Sequence, residues 1–347
     1  MSGVLDQSLH ELWNNTYQEH QGMFNIKIEE THHREINTFH ILYNPTGPHS
    51  ASPISNTTFS NFDDSQVKFT EDYQVICWVD FDNEVISQEK PSEEAKEICD
   101  KEVTDSYHPL YINPTPWVRG QCFLSLFPEE CLPQVASTEL LTLAMSIFRL
   151  SQNPTLRLGY DSLGANSDIN HLHFNILFSE TFGGFPVEKA HRKLLKQSSL
   201  QHKNPDEINM FNIGVGLYEL DFPAKCLLIC PINEINDENM SDGIESVGNV
   251  TGMVLNNLIE NNIPHSIMVA GNKIEVYVFP RVFQEEFSIG KASFLDLSGI
   301  VCTHKEEFFN DADVEQCRNY LAGLSADDNT WGKTKGYIIQ LLEKLYN

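Results

Sequence analysis

The sequence is short of positive charge and has no long hydrophobic run. Its 347 residues carry 23 Lys and Arg against 49 Asp and Glu, a formal net charge of −26. A surface that acidic repels nucleic-acid phosphates and anionic lipid, which disfavours nucleic acid and membrane as partners. No apolar run approaches the roughly 20 residues that span a bilayer. The first residues, MSGVLDQSLHELWNN, lack the basic and apolar regions of a secretory signal, so we expect a cytoplasmic protein.

The eight cysteines include no C-x-x-C pair, the spacing that would suggest a zinc site. Most of them lie in apolar segments such as VICWV and KCLLIC, which predicts reduced and buried thiols. Hydrophobic residues make up 41% of the chain, so a sizeable core needs no disulfide to hold it. We expect no metal site and no cofactor.

Strand-like and helix-like segments follow one another without a regular βαβ order. This favours an α+β fold with a mainly antiparallel sheet flanked by helices. Helical spacing of apolar residues predicts helices at 4–22, 138–150 and 248–262, and the basic stretch at 187–197 is also interpreted as helical. Period-two segments predict strands that include 23–31, 38–44 and 74–81. Residues 82–106 contain nine acids and three lysines, which predicts a solvated acidic insertion.

One segment, Arg157 to Phe178, carries candidate chemistry. Within it, HLHFNILF alternates so that His171, His173 and Asn175 would share one strand face, at intervals of about 7 Å, while Leu172 and Phe174 face the core. Just before it lie small or turn-prone residues that would let backbone N–H groups approach a phosphate: Gly159, Ser162, Gly164 and Ala165. The acids of this loop, Asp161 and Asp168, are expected to make turn hydrogen bonds.

These residues alone allow three interpretations. A neutral imidazole can attack phosphorus if one ring nitrogen keeps its proton on an acceptor while the other attacks. His-x-His can also supply two metal ligands from one side of a strand, although no third ligand is obvious nearby. The third interpretation is a solvated strand face with no chemistry.

The longer pattern LGYDSLGANSDINHLHFN, followed by FPVEKA, resembles the active-site segment of the GDP-hexose phosphorylases. This family comprises the GDP-D-glucose phosphorylase of animals and the GDP-L-galactose phosphorylase of plants, within the histidine-triad superfamily. INPTPWVRGQCFLSLFPEECLPQ and ENNIPHSIMVAGNKIEVYVFPR resemble further parts of it, and the resemblance covers most of the chain. It implies a histidine-triad-like fold of two fused halves, 1–197 and 198–347, of which the second is degenerate.

The resemblance also implies an activity, in which GDP-hexose and phosphate give GDP and hexose 1-phosphate through a guanylylated histidine. The nucleophile falls on His173, the first motif histidine on His171 and the third triad position on Asn175. We assign nucleotide or phosphate binding to Ser162, Gly164, Asn170, Arg119 and Arg157. The expected partners are GDP-hexose and inorganic phosphate, with room for a homodimer.

Four places depart from the family pattern. NPTGPHSASP stands where a basic stretch is expected, and Lys68-Phe69-Thr70-Glu71 stands where an Asn-Phe-Thr-Lys-like element is expected. Asn175 stands where Gln or His is usual, and Gly120-Gln121 stands where the family has Gly-His. A nucleotide-binding relative with weak catalysis and a nucleotide-sugar hydrolase therefore remain as alternatives.

Overall fold

The computed structural model describes residues 4–46, 74–82, 84–88, 107–167, 169–197, 213–283 and 292–346. Its strands are β1 (His32–Ile36), β2 (Phe39–Tyr43), β3 (Val75–Asp80), β4 (Val85–Ser87), β5 (Tyr107–Ile112), β6 (Cys122–Ser125), β7 (Leu156–Asp161), β8 (His173–Phe178), β9 (His191–Gln197), β10 (Val215–Asp221), β11 (Leu227–Pro231), β12 (His265–Ala270), β13 (Glu275–Pro280) and β14 (Ile300–Thr303). Its α-helices are α1 (Val4–Glu19), α2 (Thr138–Met145), α3 (Met240–Glu260), α4 (Phe294–Leu297), α5 (Glu306–Asp311), α6 (Val314–Leu324) and α7 (Asp328–Tyr346).

An 11-stranded sheet forms the middle layer, in the order β4-β3-β5-β6-β8-β7-β12-β13-β11-β10-β9. Neighbouring strands in it run antiparallel. Helices α1, α2, α3 and α7 cover one face, which we call the helical face, and bury the larger core there. The other face, which we call the site face, packs against the small β1-β2-β14 sheet and α4, α5 and α6. The predicted α+β class with a mainly antiparallel sheet is confirmed.

Counted outward from the central β7–β12 pair, the four innermost strands on each side are connected in the same order. The run β5-β6-β8-β7 on one side corresponds to β10-β11-β13-β12 on the other. In the chain, one helix, α2 or α3, separates the first two strands of each run from the last two. Strands β8 and β13 therefore occupy equivalent places, and each contains six residues. This is the arrangement that two fused, similar halves produce. The division between residues 197 and 198 stays a prediction, since 198–212 lie outside the described residues.

The two equivalent helices, α2 and α3, pack closely because α3 presents glycines to α2. A Cβ on Gly248 would lie 2.2 Å from Thr142 Oγ1, and one on Gly252 would lie 1.9 Å from Thr138 Oγ1. The helix predicted at 248–262 is present, and it begins earlier than predicted, at Met240.

Two predicted elements are wrong. Residues 187–197 form a 3₁₀ turn and the edge strand β9, because pairing with β10 outweighs the helix propensity of its lysines. Residues 23–31 form 3₁₀ turns instead of a strand, since the Asn25 and Ile28 N–H groups bond to Pro114 O and Tyr17 Oη rather than to a neighbouring strand. The predicted acidic insertion contains β4, and its residues 89–106 lie outside the described ranges, as does Asp168.

Gly159 lies in the middle of β7, not in a phosphate-binding loop, and the ring of Phe294 packs directly on it. A Cβ at Gly159 would come within 2.2 to 2.4 Å of Phe294 ring atoms. We expect Gly159→Ala to lower the free energy of unfolding by about 1–3 kcal/mol through overpacking. Urea unfolding measures this. In a Phe294→Ala background the same change should cost little, and equal costs in both backgrounds would contradict the contact.

Candidate functional site

Strand β8 presents two polar side chains to the site face. His173 and Asn175 are its first and third residues, and both are buried. Leu172, Phe174 and Ile176 point the other way, into the core beneath the helices. Phe123 on the neighbouring β6 meets the His173 ring edge-on, with ring centroids 5.0 Å apart. The apolar alternation predicted from HLHFNILF is present from residue 172 onward.

The His173 imidazole is held in one tautomer. Its Nδ1–H donates to the His171 carbonyl oxygen at 2.9 Å, and a carbonyl can only accept. The lone pair is therefore on Nε2. Burial lowers the pKa of His173 from 6.5 to about 4, against the opposing effect of this hydrogen bond. At neutral pH the ring is uncharged, as a nitrogen nucleophile must be.

His171 lies outside β8, so the strand begins two residues later than the alternation predicted. It lies in the bend before β8 and is fully buried, because the chain turns there rather than continuing the strand. What it contributes to His173 is the main-chain carbonyl described above. A role of its side chain in the site stays a prediction. Period-two spacing predicted a strand at 171 because it does not show where the strand begins.

Asn175 is oriented by a chain of amide hydrogen bonds. The Trp117 backbone N–H donates to Gln121 Oε1 at 2.9 Å, so the Gln121 Nε2 group is its donor end. That Nε2 donates to Asn175 Oδ1 at 3.1 Å. The Nδ2 amino group of Asn175 is therefore the end left to donate elsewhere. Gln121, which replaces the family's histidine, thus fixes the direction of the short side chain at the third triad position.

The loop between β7 and β8 lies next to His173 in the chain, and it contains three predicted binding residues. Gly164 adopts a positive φ of 74°, which favours glycine. The Ser162 hydroxyl is buried, donates to Leu163 O and accepts the His265 N–H. Asn170 accepts the Gln134 N–H through Oδ1 at 3.0 Å. These contacts of Ser162 and Asn170 hold the loop to its surroundings.

The two predicted arginines are not brought to His173. Arg157 pairs with Glu188 through two 2.8 Å hydrogen bonds, and its β8 partner is Leu177. Leu177 is four residues beyond His173, or about 13 Å along the strand. Arg119 turns towards α1, where it bonds to Asn14 and lies 5.8 Å from the Trp13 ring. Each arginine thus has partners that the spacing could not reveal, and phosphate binding by either one stays a prediction.

The equivalent place in the second half holds a carboxylate. Glu275 and Tyr277 are the first and third residues of β13, as His173 and Asn175 are of β8. Both Glu275 oxygens bond to Arg192, at 2.9 and 3.0 Å, and the Tyr277 hydroxyl donates to Oε2. A buried carboxylate repels phosphate and its lone pairs are engaged, so this place on β13 offers no counterpart of the His173 imidazole. The predicted degenerate second half agrees with this.

Two neutral buried histidines predict an acid-sensitive fold. Burial lowers the pKa of His265, like that of His173, from 6.5 to about 4. Between these values the unfolded chain binds more protons, so stability is full above pH 6.5 and is lost as the pH falls towards 4. The shift corresponds to about 3 kcal/mol per histidine.

We expect His265→Phe to remove about half of that loss. Denaturant unfolding of the variant and wild type between pH 7 and 4 measures it as a difference, because His173 and the other groups whose pKa burial shifts, among them Asp161 and Asp296, titrate in both proteins. An exposed histidine, His191, supplies the control through His191→Phe. Parallel stability curves for wild type and His265→Phe would contradict the assignment.

Within the described ranges, no group of three or more His, Cys, Asp or Glu side chains is arranged to hold a metal ion. In the same ranges no helix is long and apolar enough to cross a membrane.

The structure thus defines an α+β protein of two like halves around one antiparallel sheet, with a buried imidazole on β8 of the first half. Two family models match, "GDPGP1-like, N-terminal domain" over residues 4–177 and "GDPGP1-like, C-terminal domain" over residues 199–345. The chain belongs to this GDPGP1-like family. The fold is similar to yeast Ap4A phosphorylase Apa2, with a TM-score of 0.52 and 12% identity over 94% of this chain and 95% of that one.

Relatives with assigned names are GDP-hexose phosphorylases. GDP-L-galactose phosphorylase 2 of Arabidopsis thaliana is 29% identical over 245 residues, 67% of this chain and 51% of that protein. GDP-D-glucose phosphorylase 1 of Danio rerio is 23% identical over 251 residues, 67% of this chain and 65% of that protein. The match thus spans about half of the plant relative and less than two thirds of the fish relative.

Several site residues carry no sequence signal of their own. Gln134 accepts the His173 N–H through Oε1, and Phe294 packs on Gly159, the β7 partner of Asn175. Both come from segments far from β8 in the chain, and nothing in their local sequence marks them. Gln121 was visible only as a departure from the family pattern.

Proposed function

We propose that this protein is a GDP-hexose phosphorylase that works through a guanylylated His173. The supporting observation is the fixed, neutral imidazole, with its Nδ1 proton on the His171 carbonyl and its lone pair on Nε2. A phosphorus electrophile needs such a nitrogen, and the family's named members act on GDP-hexoses.

The reaction proceeds in two displacements. In the first, His173 Nε2 forms a bond to the α-phosphorus of GDP-hexose, and the bond from that phosphorus to the bridging oxygen breaks. Hexose 1-phosphate leaves with that oxygen. In the second, an oxygen of inorganic phosphate attacks the same phosphorus, the N–P bond breaks, and GDP leaves. With two displacements, the leaving hexose 1-phosphate and the entering inorganic phosphate are at the α-phosphorus one after the other, so the two anions need not be there together.

Asn175 serves the phosphorus centre as a neutral donor. Its Nδ2 group lies two residues from His173 on the same face of β8, about 7 Å by strand geometry. A donor there stabilises oxygen charge that grows in each displacement. Because Arg157 and Arg119 are engaged elsewhere, the described part of the site offers phosphate amide and backbone donors in place of their guanidinium groups.

The test is product analysis with purified protein. We expect GDP-glucose or GDP-L-galactose with phosphate to give GDP and the hexose 1-phosphate, and no GDP without phosphate. GMP formed without phosphate would instead assign a nucleotide-sugar hydrolase. Nucleotide binding without any product would assign a binding protein. Comparing kcat/KM for the two sugars determines the hexose.

A further inference from the structure

Gln134 occupies the place where the β7–β8 ladder comes apart. The last regular pair on this ladder is Gly159 with Asn175, so in the same register Tyr160 would face Phe174 and Asp161 would face His173. Asp161 and His173 do not pair, and the side-chain amide of Gln134 lies between them. Its Nε2 donates to Asp161 O at 3.0 Å and to His173 O at 3.2 Å, and its Oε1 accepts the His173 N–H at 2.9 Å.

This amide replaces a backbone peptide group in the ladder. Both main-chain polar groups of His173 on the β7 side bond to the one side chain, and on the other side His173 is the neighbour of Ser125 on β6. Gln134 is fully buried, so water cannot substitute for these bonds. A buried peptide group without a partner is costly, which makes the amide necessary once the strands separate.

Gln134 is itself held on its main chain. Its N–H donates to Asn170 Oδ1 at 3.0 Å and its carbonyl accepts the Tyr160 hydroxyl at 2.8 Å. Beside it, the Leu172 N–H donates to Leu132 O at 2.8 Å. The segment 132–134 is therefore fixed to both flanks of the gap, and the direction of the Gln134 side chain follows from that.

The separation of the strands has a consequence for the nucleophile. The chain turns at residues 171 and 172, which brings the His171 carbonyl onto the Nδ1 of its second neighbour, His173. A ladder continued in register through Asp161 and His173 would extend these residues instead. We infer that Gln134 is a positioning residue: by bridging Asp161 and His173 it keeps the turn at 171–172 and so sets the tautomer and aim of the His173 ring. This inference rests on the proposed function for its kinetic consequence but not for its structural one.

The main variants are Gln134→Met and Gln134→Glu. Methionine has a similar shape and none of the three bonds, so kcat should fall about 100-fold through misplacement of the nucleophile. KM should change little, because Gln134 is fully buried in the gap of the β7–β8 ladder. Gln18→Met makes the same change at an exposed position of α1 and should leave kcat unaltered.

Gln134→Glu gives the more specific result. An ionised carboxylate cannot donate to Asp161 O and His173 O, whereas a protonated carboxyl can donate to one of them and accept the His173 N–H. Burial and two facing carbonyl oxygens raise the pKa of the introduced carboxyl. The activity of Gln134→Glu should therefore rise as the pH falls from 8 to 5. His173 is still neutral at pH 5, because its pKa is about 4.

Neighbouring groups that titrate in this window are common to all variants. Asp161 titrates there, because burial raises its pKa to about 6. His173, whose pKa burial lowers to about 4, stays neutral, and Tyr160, whose pKa burial raises, stays protonated. The ratio of Gln134→Glu to Gln134→Met activity at each pH isolates the introduced carboxyl. A flat ratio would overturn the positioning role, since a merely structural loss would affect both variants alike at every pH.

A second readout needs no turnover. Long-range ¹⁵N–¹H NMR of the His173 ring, assigned with His173→Ala, reports its tautomer. We expect the Nδ1–H form in wild type and a mixture in Gln134→Met. If wild type never turns over GDP-hexose but the tautomer changes in this way, the proposed function fails and the positioning role stands. An unchanged tautomer together with unchanged kcat in Gln134→Met would overturn the inference.

Discussion

We expect His173→Ala to abolish nucleotidyl transfer, with kcat reduced at least about 10⁴-fold. Losses on the order of 10⁴ to 10⁶ are measured when a covalent nucleophile is removed, because the residual activity comes only from binding and electrostatic stabilisation. Among the described residues of β8 itself, His173 is the one histidine, since His171 lies in the preceding bend. Substrate binding should persist, because the alanine removes only the attacking group.

Mass spectrometry of the intact protein gives the direct measurement. Incubated with GDP-hexose in the absence of phosphate, wild type should gain the mass of one guanylyl group per chain, and digestion should locate it on His173. Added phosphate should remove the label as GDP. The control His191→Ala, at an exposed position on β9, should label like wild type. Label on another side chain, or full turnover by His173→Ala, would contradict the mechanism.

Asn175→Asp is expected to lower kcat by about 10² to 10³, the cost of removing one donor to a developing oxyanion. Aspartate keeps the shape of asparagine but replaces the Nδ2 donor with an oxygen and adds negative charge facing the phosphate. Gln121 can still donate to Oδ1, so the side chain should keep its direction. The effect should fall on kcat more than on KM, because oxygen charge is greatest in the transition state.

Steady-state kinetics on Asn175→Asp and on Asn15→Asp separate a local from a general effect of charge. Asn15 is exposed on α1, and its replacement should change kcat less than twofold. If Asn175 only fills space on the strand, the two variants will behave alike and the donor role is excluded. If the donor role holds, lowering the pH until the new carboxyl is protonated should restore part of the activity.

The sequence predicted the fold class and the faces of β8 well, because both follow from local periodicity. Residues 172–176 alternate, and their apolar members fill the core beneath the helices as predicted, while Leu177 packs on the site face. The resemblance to the GDP-hexose phosphorylases was confirmed by the family models over both halves. Local pattern does not show the residue at which an element begins, as at His171. It also does not show the effect of a neighbouring strand: residues 191–197 form a strand because they pair with β10.

The polar contacts of the site were less predictable still. Gln134 and His173 are 39 positions apart, and Gln121 and Asn175 are 54 apart. No spacing rule links such pairs, because their meeting depends on which strands become neighbours. Arg157 shows the converse: it is close to the site in sequence, yet its guanidinium is committed to Glu188. Charge near a motif is therefore a weaker guide to phosphate binding than the partners each charge finds in the fold.

The carboxylate at the start of β13 makes the difference between the two halves hard to reverse. Replacing Glu275 by histidine alone would deprive Arg192 of its counter-charge and Tyr277 of its acceptor. At least three side chains would have to change together before a second imidazole could work there. A single substitution at Glu275 therefore leaves two buried groups without their partner, and this interdependence protects the difference between the two halves against one-step change.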